Sequence, residues 1–165
     1  MTAPLPTAEL PLTVLTTHAR DVAADFAASL QQLGDRYGTA EAIRVFYQVS
    51  DRPLYTVGRA HYVSELIGLC GGRNVFADLD ELAPAIAVEA VVERDPDVML
   101  ASTDASGDAF AEWSRWPNMA ANRYANQFLM PADEIGRATP RLVEAATALC
   151  DALTIARKRM ASELR

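Results

Sequence analysis

The residues of this chain that could do chemistry are few and poorly grouped. They are Cys70 and Cys150, His18 and His61, and carboxylates at Asp78, Asp80 and Glu81 and at Asp133 with Glu134. The cysteines lie far apart. They are either two thiols on apolar helix faces, where free cysteine is commonly buried, or the halves of a disulfide. A bridge over so long a loop stabilises by roughly 4–5 kcal/mol in the chain-entropy picture and implies an oxidising compartment. A metal site is not indicated, because there is no Cys-x-x-Cys and neither histidine is flanked by another ligand type. No Gly-x-Ser-x-Gly occurs, so a serine nucleophile elbow is excluded. His61 has no nucleophile or orienting acid grouped with it and reads as a helix-start or loop histidine. The paired carboxylates fall in loops, where solvation is their ordinary state. No catalytic residue is expected, and the chain is expected not to be an enzyme.

Binding residues are easier to assemble once the elements that must hold them are laid out. Val22, Ala23, Phe26, Ala27, Leu30, Leu33 and Tyr37 repeat at helical spacing and predict an amphipathic helix over His18–Tyr37. Before it, residues 1–16 are punctuated by proline, with a short strand expected at Leu12–Leu15. Ala42–Gln48 is rich in β-branched and aromatic residues and predicts a strand that feeds the turn Ser50-Asp51-Arg52-Pro53. Val63, Leu66, Ile67 and Cys70 predict a helix over Tyr62–Cys70, closed by Gly71 as a left-handed residue. Residues 73–86 read as a long irregular connection. A helix at Val88–Arg94, a strand at Asp97–Ser102, a helix at Ala105–Trp113 and a strand at Gln127–Met130 follow. The last helix is expected to start with Thr139 as N-cap and Pro140 at the first helical position.

Strands alternating with helices predict an α/β fold with a mostly parallel central sheet flanked by helices. Ligands of such sheets meet the loops at the carboxyl ends of the strands, here Ser50–Gly58, Ser102–Ser106 and Pro131–Arg137. Tyr55 offers a stacking face, Asp133 a carboxylate and Arg137 a guanidinium, a combination suited to a large polar ligand. The glycines at 68–72 follow a helix instead of opening one, which argues against a nucleotide-phosphate loop.

Composition narrows the partners. The chain has 165 residues, half of them apolar, and a net charge of −7, which suits one globular domain. Its 15 basic residues are scattered except at Arg157-Lys158-Arg159, so a nucleic-acid surface is not expected. No window is apolar enough to span a membrane. The first residues lack a basic segment and are broken by Pro4, Pro6 and Pro11, so they do not read as a secretory signal.

Four segments in order resemble the C-terminal lobe of cobalamin- and siderophore-type periplasmic substrate-binding proteins of ABC importers. Arg44-Val45-Phe46-Tyr47-Gln48 with Pro53-Leu54-Tyr55-Thr56-Val57-Gly58 is similar to the first strand and ligand loop of that lobe. Ser64 to Asp78, with its Cys-Gly-Gly-Arg-Asn-Val-Phe run, resembles the helix and turn that follow. Val88-Glu89-Ala90-Val91 with Asp95-Pro96-Asp97-Val98 resembles a short helix and Pro-Asp strand entry. Asp133-Glu134-Ile135-Gly136-Arg137-Ala138-Thr139-Pro140-Arg141 resembles the last ligand loop and the start of the final helix.

The resemblance implies a binding lobe for cobalamin or a related corrinoid, the transported ligand in place of any cofactor. Alternatives are a ferric siderophore or haem, or a truncated lobe engaged only in protein interaction. It implies ligand contacts at Tyr55, Asp133, Glu134 and Arg137, a permease-docking acid at Glu89, and a Cys70–Cys150 disulfide. Ala83 stands where cobalamin binders can carry an aromatic contact. By the same likeness, residues 1–17 are an irregular lead-in from a missing N-terminal lobe, 18–38 the linker helix and 39–165 the lobe itself. The second half of the cleft is expected from that other lobe or from a homodimer, and the working compartment is expected to be the periplasm.

Overall fold

A computed structural model describes residues 12–102, 108–135 and 141–163. Helix α1 (Leu12–Tyr37) leads into strand β1 (Ile43–Gln48), whose Val45 and Tyr47 face one layer while Phe46 and Gln48 face the other. A small antiparallel hairpin follows, β2 (Ser50–Asp51) and β3 (Leu54–Tyr55), turning through a cis Arg52–Pro53 bond. Helix α2 (Tyr62–Leu69) then returns the chain to β4 (Gly72–Asn74). Helix α3 (Val88–Arg94) crosses to β5 (Val98–Ser102), and a 3₁₀ turn (Ala111–Arg115) and α4 (Ala120–Arg123) lead to β6 (Gln127–Met130). The short α5 (Ala132–Ile135) and the long α6 (Leu142–Glu163) complete the order.

The four main strands form one parallel sheet in the order β4-β1-β5-β6. Alternation along β1 and β5 fills two cores. Val45, Tyr47, Val98 and Leu100 pack with α2 and α6, and with Phe26, Leu30, Leu33 and Tyr37 of α1. On the opposite face, Phe46 and Met99 pack with Phe76, Val91, Trp113 and Met119. The α/β architecture with a helix-flanked parallel sheet is therefore present.

Several expected boundaries shift. Helix α1 begins at Leu12, so there is no strand at Leu12–Leu15 and the irregular lead-in does not extend to residue 17. Its early apolar stripe is also less buried than the periodicity predicts, with Val22 36% exposed and only Phe26 onward packed on the core. Residues 72–74 form an edge strand where the connection was expected to be irregular from Arg73. The described part of the predicted Ala105–Trp113 helix is a 3₁₀ turn displaced to Ala111–Arg115. Thr139 and Pro140 lie outside the described residues.

The base of the sheet is tightly held. Cys70, the C-cap of α2, is bridged to Cys150 of α6 with Cα atoms 4.8 Å apart, so the disulfide alternative is the one realised. Gly71 follows with φ of 72°, where a Cβ would lie 2.7 Å from the Tyr37 carbonyl oxygen. The Arg157 guanidinium donates to the carbonyls of Cys70 (3.1 Å), Gly71 (2.9 Å) and Glu41 (2.9 Å), so one side chain of α6 satisfies the C-cap carbonyl of α2 and ties it to the segment entering β1.

Candidate functional site

The strand order places a switch point between β1 and β5. From β1 the chain passes through α2 on one face to β4, then through α3 on the other face to β5. The connections diverge there, and a crevice forms at the carboxyl ends of the two strands. A cavity of about 220 Å³ occupies it. Tyr47 and Val49 from the end of β1 and Ser102 from the end of β5 form its floor, with Val57, His61, Tyr62, Val63 and Ile135 around it. A wider depression of about 420 Å³ around Trp116 and Met119 lies at the opposite end of the sheet, beside Asp95 ahead of β5, away from the ligand loops. The smaller cavity is better placed. Its volume is below the roughly 300–1,000 Å³ of an enclosing ligand pocket.

The loop carrying Tyr55 is built beside this cavity. Val49 N–H donates to the Tyr55 carbonyl at 2.9 Å, and the half-buried Tyr55 bridges to Ala85. The returning segment 79–86 runs alongside. Thr56 N–H donates to Pro84 (3.1 Å), Gly58 N–H to Leu82 (3.0 Å) and Arg59 N–H to Leu79 (2.9 Å). The connection after β4 thus reaches the rim at the carboxyl ends of the strands, and exposed Ala83 lies on it.

Asn74 anchors the loop from within. Its Nδ2 donates to the Val57 carbonyl and to Ser64 Oγ, both at 2.7 Å, while its Oδ1 accepts from Phe76 N–H at 2.9 Å. Ser64 Oγ in turn donates to the Gly58 carbonyl at 2.7 Å. The Cys-Gly-Gly-Arg-Asn-Val-Phe run is thereby explained: the first glycine turns the chain, the asparagine holds the loop at Val57, and Phe76 fills the core.

Asp133 and Glu134 fall on α5, at the same end of the sheet as Tyr55. Arg137 lies outside the described residues. Glu89 is exposed in the first turn of α3, which begins on this rim just after the segment paired with Tyr55.

Two residues that sequence spacing did not single out for the site line the cavity. His61 and Tyr62 stack with ring centroids 4.5 Å apart. Tyr62 Oη donates to the Ile135 carbonyl at 2.5 Å, tying α2 to α5. Burial pushes the Tyr62 phenol up, which keeps it a donor, and pushes the His61 imidazole down, which keeps it neutral at neutral pH. Their aromatic adjacency was visible in sequence; a partner 73 residues away was not. Among the described residues no group of three histidine, cysteine or acidic side chains could hold a metal ion, and no helix is long and apolar enough to cross a membrane.

Residues 12–134 match the periplasmic binding protein family. A vitamin B12-binding protein of Vibrio parahaemolyticus is 36% identical over 139 residues, 83% of this chain and 50% of that protein. The crystal structure of the periplasmic vitamin B12 binding protein BtuF of Vibrio cholerae superposes with a TM-score of 0.74 at 34% identity, covering 84% of this chain and 55% of that one. The periplasmic heme-binding protein BhuT, solved with two hemes, shares the fold with a TM-score of 0.69 at 22% identity, covering 83% of this chain and 55% of that one. The chain spans about half the length of the relatives it matches.

Proposed function

The chain belongs to the periplasmic binding protein family, and from that membership we propose that it forms one ligand-binding wall of an ABC-importer substrate-binding protein for cobalamin or a related corrinoid. It works in the periplasm and holds its cargo without covalent chemistry. Tyr55 lays its ring on the ligand, while Asp133, Glu134 and Arg137 supply polar contacts from the last loop. Glu89 is the acid that docks on basic residues of the permease, a contact that orients and speeds encounter more than it tightens it. The opposing wall comes from another lobe, either an N-terminal lobe or a second copy of the chain.

The observation that carries this reading is the 36% identity to a vitamin B12-binding protein over 83% of the chain. The braced Tyr55 loop beside the β1/β5 crevice supports it. Haem or a ferric siderophore is the second reading, favoured by Ala83, which offers no aromatic face beside Tyr55. Calorimetric titration with cyanocobalamin tests the first, with saturable heat and a rise in melting temperature expected. No heat and no shift at high ligand concentration refute it, and binding of haem alone moves the assignment to the second.

A further inference from the structure

The stacked pair at the cavity carries a more specific statement about what the ligand presents there. His61 Nδ1 accepts the backbone N–H of Val63 at 3.2 Å and so caps α2. In a neutral imidazole with Nδ1 as acceptor, the proton resides on Nε2. That edge has no hydrogen-bond partner among the described residues, and the ring lines the cavity. A nitrogen bearing its proton donates a hydrogen bond and has no lone pair to give a metal. Val57, Val63 and Ile135, themselves buried, line the same cavity. The neighbouring Tyr62 phenol is already committed to the Ile135 carbonyl.

We propose that His61 Nε2–H recognises a carbonyl-type oxygen on the periphery of a large ring ligand, either a side-arm amide of a corrinoid or a propionate of a porphyrin, and does not ligate the metal at its centre. This rests on the ring-ligand reading of the site and deepens it.

The test uses H61N in the full chain. Asparagine is a strong N-cap residue, so α2 keeps its cap while the shorter amide no longer places a donor at the Nε2 position. H61S, also a capping residue, repeats the measurement should H61N fail to fold. Wild type and variant are titrated with cyanocobalamin, whose periphery bears amides, and with haem, which bears propionates. Binding is read by calorimetry and, for haem, by the Soret band. The expected result is an unchanged melting temperature, about 3- to 10-fold weaker binding of whichever ligand the wild type takes, and an unaltered haem spectrum. A loss confined to cyanocobalamin supports an amide acceptor, and one confined to haem a propionate. Dissociation constants within twofold of wild type overturn the assignment, as does loss of a histidine-ligated haem spectrum in the variant. A wild type that binds neither ligand removes the ring-ligand reading and this assignment together; a wild type that binds while the variant is unaffected removes the assignment alone.

Discussion

Tyr55 is half-buried, and its backbone is held on both sides, by Val49 and by Ala85. Its ring can therefore be removed with little effect on the loop that carries it. Tyr55→Ala is expected to weaken cyanocobalamin binding about 10-fold, the scale of a lost aromatic contact, with a melting temperature close to wild type. Unchanged affinity in calorimetry removes Tyr55 from the site. Legibility at this scale was uneven. The turn-forming proline before Tyr55 marked the Ser50–Gly58 connection, and the structure sets Tyr55 within it on the short strand β3. His61 could not be found, since only tertiary structure brings a lone histidine to the same cavity as Val49 and Ile135. Asn74 was legible only as a letter in a motif; its hydrogen bonds to the Val57 carbonyl and to Ser64 Oγ depend on the return of β4 beneath the Val57 loop.

At the level of elements, the rim depends on close packing of two backbone segments. A Cβ at Gly58 would lie 1.9 Å from the Glu81 carbonyl oxygen and 2.8 Å from that of Leu79, both main-chain atoms that cannot rotate aside. Gly58→Ala is thus expected to push residues 79–82 away, destabilising by about 1–3 kcal/mol and weakening ligand binding in parallel. Denaturant unfolding checks the first effect and titration the second; wild-type stability refutes the packing argument. The central strands β1 and β5 were readable because their apolar, β-branched residues serve both faces of a covered sheet. β4 was not. Gly72-Arg73-Asn74 has neither alternation nor β-branched residues and is a strand only because it pairs in register with Ile43-Arg44-Val45. The 3₁₀ turn at Ala111–Arg115 was misplaced for a related reason: Phe110 and Trp113 have helical spacing, but Trp113 is positioned by the bond from its Nε1 to buried Gln48 at 2.7 Å.

At the scale of the whole molecule, the cross-link between α2 and α6 closes a span of 80 residues. Reducing it, or replacing both cysteines, is expected to lower stability by roughly 4–5 kcal/mol, the loop-entropy value for that length. Denaturant midpoints with and without reductant measure this, and equal midpoints contradict it. The exposed Glu89 makes a separate prediction about assembly. Glu89→Arg is expected to leave cyanocobalamin affinity unchanged and to slow association with the permease by about 10-fold at low salt. Identical association kinetics would remove Glu89 from the docking face.

The arrangement of the restraints has a further consequence. The Cys70–Cys150 bridge and the Arg157 contacts to Cys70, Gly71 and Glu41 gather toward the foot of the strands, whereas Tyr55, His61 and α5 stand at their heads. The covalent and guanidinium restraints are thereby kept apart from the side chains proposed to meet a ligand. An engineer could exchange those upper side chains, sparing Gly58 and Asn74 that brace the rim, and leave the foundation as it stands.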